Sequence, residues 1–145
     1  MTRIIMHGCN GHMGQVITGI VANDANAQIV AGIDLRDDGH NSYPVFASLE
    51  ECNVEADVII DFSHPNNLDD ILAYAKKNKT KVVFATTGFS KEQLDKIEEA
   101  SKEIAIFQSY NTSFGIQMVT KILRQVAKEF YDNAVSYTHL RAHET

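Results

Sequence analysis

The sequence has few cysteines, no cluster of basic residues and no long apolar run. Its two cysteines, Cys9 and Cys52, match neither a metal-ligand spacing nor a disulfide framework, which is typical of a reducing compartment. No apolar stretch approaches the roughly 18 residues of a membrane span, and the apolar start of the chain is too short for a signal peptide. The formal net charge of −6 argues against a nucleic-acid surface. We therefore predict a cytoplasmic protein that contacts neither membrane nor nucleic acid.

Several catalytic and metal-binding motifs are also missing. The six histidines form no His-Glu-x-x-His or comparable ligand pattern, so the sequence predicts no metal site. No Gly-x-x-x-x-Gly-Lys-Ser/Thr run occurs, which argues against a P-loop nucleotide hydrolase. The Tyr-x-x-x-Lys pair of short-chain dehydrogenases is absent as well, because Tyr74 is followed four residues later by Asn78.

Strand and helix patterns alternate along the 145 residues, which suit one globular domain. The predicted strands are Arg3–His7, Gln28–Asp34, Asp57–Asp61, Lys81–Ala85 and Ile104–Gln108. The predicted helices begin near Gly11, Ser48, Pro65, Ser90 and Ser113, the first ending near Asn23-Asp24 and the last at Phe130. This order favours a Rossmann-like, doubly wound, mainly parallel sheet with helices on both faces, a fold of the α/β class.

Three of the predicted helices have a marked apolar stripe that indicates their buried face, and the stripe of the last helix comprises Ile116, Val119, Leu123, Val126 and Phe130. The stripe of the first helix comprises Met13, Val16, Ile17, Ile20 and Val21. The stripe of the helix near Pro65 comprises Leu68, Ile71, Leu72 and Ala75. The starts at Ser48 and Ser90 are each predicted from a capping box, in which a serine and an acid or amide three residues later bond reciprocally.

The first strand runs into three glycines spaced three apart, Gly8, Gly11 and Gly14. In a nucleotide-binding turn the first glycine lets the chain reverse, the second lets a diphosphate approach the backbone, and the third lets the helix pack closely. The free N–H groups of the first helical turn would then face the phosphates. The spacing is GxxGxxG rather than the commoner GxGxxG, so an ordinary glycine turn between a strand and a helix is the alternative interpretation.

Asp34 ends the second predicted strand, about 20 positions after Gly14, where a carboxylate can accept the ribose hydroxyls of an adenosine. The alternative is a turn or helix-capping aspartate. A 2′-phosphate would be repelled by Asp34, but the guanidinium of Arg36 can offset that repulsion, unless Arg36 is simply solvated. The sequence therefore permits both NADH and NADPH.

Two polar loops follow later strands and should reach the same edge of the sheet. Thr86-Thr87-Gly88-Phe89 and Asn111-Thr112-Ser113 can contact a nicotinamide or its ribose, or can be ordinary connections. The strand ends expected to converge there are Gly8–Met13, Asp34–Arg36, Phe62–Asn66 and Ala85–Phe89. His7 is predicted to be buried structure, and His12 either touches phosphate or points to solvent.

Four stretches together resemble the N-terminal part of the dihydrodipicolinate reductase family, whose members are also called 4-hydroxy-tetrahydrodipicolinate reductases. They are Gly8–Gly14 (GCNGHMG), Asp57–Pro65 (DVIIDFSHP), Ala85–Phe89 (ATTGF) and Ser109–Ser113 (SYNTS). The resemblance implies that residues 1–132 form a domain binding NADH or NADPH. The residues that it implies are Gly8, Cys9, Asn10, Gly11, His12 and Met13 at the diphosphate, Asp34 and Arg36 at the adenine ribose, and Ala85, Thr86, Thr87, Ser109, Tyr110, Asn111 and Thr112 beside the nicotinamide.

The sequence departs from the family pattern at two of these positions. Alanine stands at 85 where glycine is common, and Thr112 stands where a larger apolar residue is usual. Backbone contacts are still expected at both positions, whereas the side-chain contacts of the family do not carry over.

The family resemblance also implies a reaction. It is hydride transfer from the nicotinamide to the ring of a cyclic dicarboxylate, on the diaminopimelate route to lysine, with a histidine of a second domain as proton donor. The His-His-x-x-Lys and Pro-Ser-Gly-Thr stretches of that substrate domain do not occur here, and residues 133–145 read as a tail foreign to the family. We expect this chain to supply the cofactor-binding half, without catalytic residues, and to be a monomer although the family forms homotetramers. The alternatives are a non-catalytic NAD(P)-sensing module and another two-domain dehydrogenase of amino-acid metabolism.

Overall fold

Six parallel strands form one sheet in residues 1–108, the part of the chain that the computed structural model describes. The strands are β1 (Thr2–His7), β2 (Ala27–Ile33), β3 (Val45–Phe46), β4 (Val58–Asp61), β5 (Lys81–Phe84) and β6 (Ile106–Gln108). The helices in this range are α1 (His12–Val21), α2 (Leu68–Asn78), which follows a 3-10 turn at Pro65–Asn67, and α3 (Lys91–Ala100). None of these helices is long and apolar enough to cross a membrane.

The order of the strands reverses beside β1. The sheet runs β3-β2-β1-β4-β5-β6, so that Ile4 of β1 lies opposite Ile29 on one side and Val58 on the other. Because every pairing is parallel, the carboxyl ends of all six strands share one edge. In sheets of this kind ligands bind outside that edge at the point of reversal, which here is the turn that follows β1.

The strands alternate between two hydrophobic cores, one on each face of the sheet. Ile5 and Ile59 face the larger core, which α2 and α3 cover, whereas Ile4 and Met6 face the smaller core, against which α1 packs. The predicted buried face of the second long helix is confirmed, since its four residues all lie in the larger core: Leu68, Ile71, Leu72 and Ala75. Helices therefore cover both faces of a parallel sheet, as the doubly wound prediction requires.

Helix α1 packs through a different face from the one its sequence predicted. Three residues of the predicted stripe are exposed, namely Met13, Val16 and Ile20. Gly14 is the buried residue of the helix instead, and Ile17 and Val21 pack against the smaller core. The helix takes this orientation because the missing side chain of Gly14 lets it lie against the glycine turn, and positions three and seven residues later follow the same face.

The two predicted capping boxes have different outcomes. Ser90 begins α3, because its hydroxyl accepts the Gln93 N–H at 3.2 Å while the Gln93 side chain accepts the Ser90 N–H at 2.9 Å. The helix predicted at Ser48 is wrong. Only the bond from the Glu51 N–H to the Ser48 hydroxyl forms, at 3.3 Å, and the segment makes a turn. This segment lacks the repeating apolar positions that would continue a helix, and its Leu49 is anchored in the larger core.

One further difference concerns a strand at the margin of the sheet. Strand β3 was not predicted, because a strand of two residues shows no alternation along the sequence. The helix predicted from Ser113 to Phe130 lies outside the described residues.

Candidate functional site

The turn after β1 has the geometry that its glycines predicted. Gly8 has a φ of +81°, which favours glycine, and its N–H donates to the carbonyl of Ile33 at the end of β2, at 2.8 Å. A methyl group on Gly14 would lie 2.3 Å from the carbonyl oxygen of Gly8, so only glycine lets the helix approach the turn so closely. The predicted conformational roles of Gly8 in reversing the chain and of Gly14 in letting the helix pack closely are therefore confirmed.

Helix α1 begins without a side-chain cap. Gly11 is its N-cap, in an extended conformation, and within the described residues no side chain accepts a hydrogen bond from the first turn. The first turn also contains no acidic residue. Its backbone N–H groups and the positive end of the helix dipole are thus open to an anion at the carboxyl edge of the sheet.

The carboxylate of Asp34 lies beside this turn. One of its oxygens accepts the backbone N–H of Asn10 at 2.9 Å, and the other accepts the N–H of Leu35 at 2.8 Å. The proximity of Asp34 to the glycine turn, predicted from their spacing, is confirmed. Each carboxylate oxygen can accept a second hydrogen bond, so the half-buried side chain is still able to bind a pair of hydroxyl groups.

An exposed, acid-rich stretch follows Asp34. Arg36, Asp37 and Asp38 are all exposed, and the guanidinium of Arg36 forms no ion pair with a carboxylate of the described residues. The backbone carbonyl of Arg36 accepts a hydrogen bond from the side-chain amide of Asn10 at 2.6 Å. The side chain of Arg36 is therefore unconstrained, whereas the backbone below it is attached to the glycine turn.

A buried carboxylate joins the ends of three neighbouring segments. Asp61, at the end of β4, is fully buried and accepts hydrogen bonds from His7 at 3.0 Å, from the Ser63 hydroxyl at 2.6 Å and from the Thr86 hydroxyl at 2.6 Å. Burial alone would raise the pKa of the Asp61 carboxyl, but these hydrogen bonds outweigh burial and hold the pKa below its ordinary value. Asp61 is thus an ionised group that connects the carboxyl ends of β1, β4 and β5. The prediction that His7 is buried structure is confirmed.

The loop after β5 presents two threonines in different ways. The hydroxyl of Thr86 is buried on Asp61, and the N–H of Ala85 donates to the carbonyl of Asp61 at 3.0 Å. Thr87 is exposed at the same edge. The Thr86 side chain therefore supports the loop, and the hydroxyl that faces outward is that of Thr87. Ser109, Tyr110, Asn111 and Thr112 lie outside the described residues.

The other predicted diphosphate-binding residues of the glycine turn differ in the exposure of their side chains. Cys9 is fully buried, and burial, followed by the nearby Asp34 carboxylate, raises the pKa of its thiol to about 11. A thiol of this kind is neutral and unreactive, so Cys9 can meet a ligand only through its backbone. His12 and Met13 are exposed at the start of α1, where both the side chains and the backbone can be reached.

Sequence reasoning missed the roles of Asp61 and of the Asn10 side chain. Asp61 had a recognisable signal, because it is an acid that closes an otherwise apolar strand two residues before Ser63. The side-chain contacts of Asn10 had none, since they depend on where the segment after β2 folds.

A cleft of about 860 Å³ opens at the opposite, amino edge of the sheet. Charged side chains at this edge pair with each other, as Arg3 does with Asp57 at 3.1 Å and with Glu55 at 3.3 Å. Across the described residues no group of three or more histidine, cysteine, aspartate or glutamate side chains is placed to hold a metal ion. The groups that can receive an anion and a sugar lie together at the carboxyl edge instead.

Comparisons of this chain with a family model and with the sequences of known proteins agree on one family. A family model described as "Dihydrodipicolinate reductase, N-terminus" matches residues 2–112. The 4-hydroxy-tetrahydrodipicolinate reductase of Clostridium novyi (strain NT) is 47% identical over 133 residues, which are 92% of this chain and 53% of that protein. The enzyme of the same name from Caldanaerobacter subterraneus subsp. tengcongensis is 43% identical over 128 residues, 88% of this chain and 51% of that protein. The chain thus spans about half the length of the curated relatives it matches.

Solved structures show the same fold. A dipicolinate-bound dihydrodipicolinate reductase from Paenisporosarcina sp. TG-14 superposes with a TM-score of 0.77 at 24% identity, over 97% of this chain and 62% of that one. The WlbA dehydrogenase from Bordetella pertussis, solved with NADH and UDP-GlcNAcA, superposes with a TM-score of 0.64 at 17% identity, over 86% of this chain and 42% of that one. At these identities the likeness establishes the fold of the chain.

Proposed function

The chain belongs to the dihydrodipicolinate reductase family, and on that premise we propose that it binds a nicotinamide dinucleotide at the carboxyl edge of its sheet. The proposed domain comprises residues 1–132. It supplies the cofactor-binding half of an enzyme that reduces 4-hydroxy-tetrahydrodipicolinate to tetrahydrodipicolinate with NADH or NADPH, in the biosynthesis of diaminopimelate and lysine. The observation that carries the proposal is the uncapped start of α1 beside the carboxylate of Asp34, 2.9 Å from the N–H of Asn10.

The residues of the glycine turn suit a diphosphate. The first turn of α1 offers backbone N–H groups that no described side chain satisfies, and Gly11 has no side chain that would keep phosphate oxygens away from them. Gly8, Cys9 and Asn10 border the same space with their backbone, and His12 and Met13 border it from the first turn of the helix. The site therefore binds the diphosphate mainly through backbone groups, because the side chain of Cys9 is fully buried and cannot reach a ligand.

The adenine ribose is assigned to Asp34, with Arg36 beside it. The carboxylate of Asp34 keeps one acceptor position on each oxygen, which matches the two hydroxyls of an unmodified ribose. A 2′-phosphate would be repelled by Asp34, and the exposed stretch that follows carries two acids, Asp37 and Asp38, against one base, Arg36. A single such contact at about 4 Å disfavours the phosphate by roughly 1–4 kcal/mol. We therefore propose that NADH binds more tightly than NADPH.

The nicotinamide end is assigned to the loop after β5, through the backbone of Ala85 and Thr86 and the exposed hydroxyl of Thr87. The family resemblance adds Ser109, Tyr110, Asn111 and Thr112 to the proposed nicotinamide-binding residues. The bound dinucleotide supplies the hydride for the reduction. Asp61 holds the loop that carries Thr86 in place, so this loop is ordered before the cofactor arrives.

Titration with NADH, followed by calorimetry, tests this function. Saturable one-to-one binding by the full chain is expected, and Asp34→Ala should weaken it at least about 10-fold, because the ribose loses its acceptor. The same change should reduce or abolish the preference for NADH over NADPH. Asp95→Ala is the matched control, since Asp95 is an exposed aspartate on α3 without an ion pair among the described residues. Absence of saturable binding, or equal affinities of the two variants, would overturn the proposal.

A further inference from the structure

Counted from Gly8, Asn10 occupies the position at which the commoner GxGxxG turn has its second glycine, which here comes one residue later as Gly11. Among the residues described, Lys79 is the non-glycine residue with a positive φ, so Asn10 lies outside the left-handed region. The backbone of this turn therefore accepts a side chain at position 10, and a glycine is not needed there for conformational reasons. An asparagine at this place calls for an explanation in terms of its contacts.

The side chain of Asn10 connects the glycine turn to the segment between β2 and β3. Its amide nitrogen donates to the carbonyl of Arg36 at 2.6 Å, and its amide oxygen accepts from the side chain of Asn41 at 2.8 Å. Its backbone N–H donates to the carboxylate of Asp34 at 2.9 Å. Asn10 is thus bonded to that segment at three places, Asp34, Arg36 and Asn41.

Few other contacts hold residues 35–40 of this segment, whereas Tyr43 near its end is buried and bonded to Thr18 of α1 at 2.8 Å. Residues 35–40 are exposed, and apart from the bond to Asn10 their hydrogen bonds within the described residues are local, such as that from the Gly39 N–H to Asp37 at 2.9 Å. Gln15 supports Asn41 from α1 with a bond of 2.9 Å. Without Asn10, the stretch from Arg36 to His40 would keep no side-chain bond to the turn. A ligand would then have to order this stretch on binding, and its affinity would fall accordingly.

We propose that Asn10 is a positioning residue that keeps the segment after β2 folded against the glycine turn, so that the adenosine side of the site is formed before the dinucleotide binds. The inference rests on the proposed dinucleotide function and assigns to Asn10 a role in addition to lining the diphosphate. The adenosine side depends on Asn10, whereas the loop after β5, which Asp61 holds, does not.

Binding of NADH and of ADP-ribose to Asn10→Ala tests this role. Both ligands carry the adenosine and the diphosphate, so both should bind about 5- to 30-fold more weakly, and by the same factor. Asn41→Ala should weaken both less, and its effect should be smaller in Asn10→Ala than in the unaltered chain, because the Asn10–Asn41 bond is then already broken and only the bond to Gln15 is lost. Asn23→Ala is the matched control, since Asn23 makes an amide-to-carbonyl bond of 2.8 Å to Gly19 on the outside of α1.

Hydrogen exchange gives an independent readout that a general loss of stability would not reproduce. In Asn10→Ala without ligand, the backbone amides of residues 35–40 should exchange faster, while those of β1 and β4 should be unchanged. Unchanged ADP-ribose affinity in Asn10→Ala, a larger loss for NADH than for ADP-ribose, or faster exchange throughout the sheet would each overturn the inference. If the unaltered chain bound neither ligand, the proposed function itself would fall, and this role of Asn10 with it.

Discussion

Helices α1 and α3 both begin at the carboxyl edge of the sheet, yet their first turns are built in opposite ways. In α3, Ser90 and Gln93 satisfy each other's backbone N–H groups through a complete capping box, and Glu92 adds a negative charge near the helix start. In α1, the cap is Gly11, no described side chain accepts a hydrogen bond from an N–H of the first turn, and no acidic residue lies in it. Side chains of the chain itself therefore accept hydrogen bonds from the start of α3, whereas the N–H groups at the start of α1 remain open.

The difference separates a helix start that is closed by its own side chains from one that is open to an anion. A capped N-terminus is stable alone but cannot receive an anion, whereas an open one has unsatisfied donors and a positive dipole end that favour a phosphate. Ser90 shows that a side chain of this chain can cap a helix, whereas Gly11 has no side chain with which to cap α1. The four predictions below test this contrast.

The largest effect is expected from removing the glycine that lets α1 meet the turn. Gly14→Ala would place its methyl group 2.3 Å from the carbonyl oxygen of Gly8 and 2.7 Å from that of Cys9. Backbone atoms would have to move, and the free energy of unfolding in urea should fall by about 3 kcal/mol. Gly19→Ala on the same helix meets no atom within 4 Å, and should instead raise stability by about 0.5–1 kcal/mol. Equal effects of the two substitutions would contradict this account of α1.

The next largest effect is expected from Asp61, the buried carboxylate that connects the end of β1, which leads to α1, with the loop after β5, which leads to α3. Asp61→Asn keeps the shape of the side chain but removes the charge that accepts bonds from His7, Ser63 and Thr86, and should cost about 2 kcal/mol at neutral pH. Because the folded-state pKa of Asp61 lies below its unfolded value, the stabilisation is complete above the ordinary carboxyl range. It is lost as the pH falls through the lowered folded-state pKa.

Urea unfolding of both proteins from neutral to acidic pH measures this effect. The difference in unfolding free energy between the unaltered chain and Asp61→Asn should shrink as the pH is lowered. A difference that is constant with pH would show that the charge of Asp61 does not stabilise the fold.

A smaller effect is expected from Gly11→Asp, a substitution that converts the open start of α1 into a capped one. Gly11 already has the extended conformation of an N-cap residue, so Gly11→Asp can place a carboxylate on the first turn of α1, although its Cβ would lie 3.3 Å from the Gly8 carbonyl oxygen. This carboxylate would compete with the diphosphate, and NADH affinity should fall about 10-fold or more. Gly11→Ala has the same Cβ without the charge. If it weakened NADH binding as much as Gly11→Asp, steric contact and not capping would be responsible.

The smallest effect is expected at the capped start. Ser90→Ala removes the hydroxyl that accepts the Gln93 N–H at 3.2 Å, and should lower the free energy of unfolding by about 1 kcal/mol. The affinity for NADH should not change, because α3 begins with no open donors for a ligand. Ser101→Ala at the other end of α3 serves as the control, with a loss of at most about 0.5 kcal/mol expected. A marked loss of NADH affinity in Ser90→Ala would break the contrast between the two helices.

The parts of the fold that were predictable from sequence are those with a local cause. The buried face of α2 follows from apolar residues at helical spacing, and the start of α3 follows from Ser90 and Gln93, which bond each other within one turn. The position of Asp34 beside the turn follows from topology, because neighbouring parallel strands end at one edge. Each of these signals is contained in a short stretch of chain or in a general rule of sheet construction.

The parts that were not predictable depend on contacts between distant segments. The face on which α1 packs is set by the close approach of Gly14 to the turn, and this outweighs the apolar stripe that includes Ile20. The turn at Ser48 has the residues of a capping box but no helix to cap. The contacts of Asp61 and of the Asn10 side chain join residues more than one element apart, and periodicity carries no signal for such pairs.

The central position of β1 has a consequence for the order in which the sheet can assemble. This strand forms the middle of the sheet, where Ile4 pairs with Ile29 and with Val58. Its edge toward β2 can pair with the next strand in the sequence, but its other edge stays open until β4, which follows both β2 and β3, is in place. Closure of the sheet around β1 therefore depends on contacts between residues far apart in sequence, and such contacts slow folding.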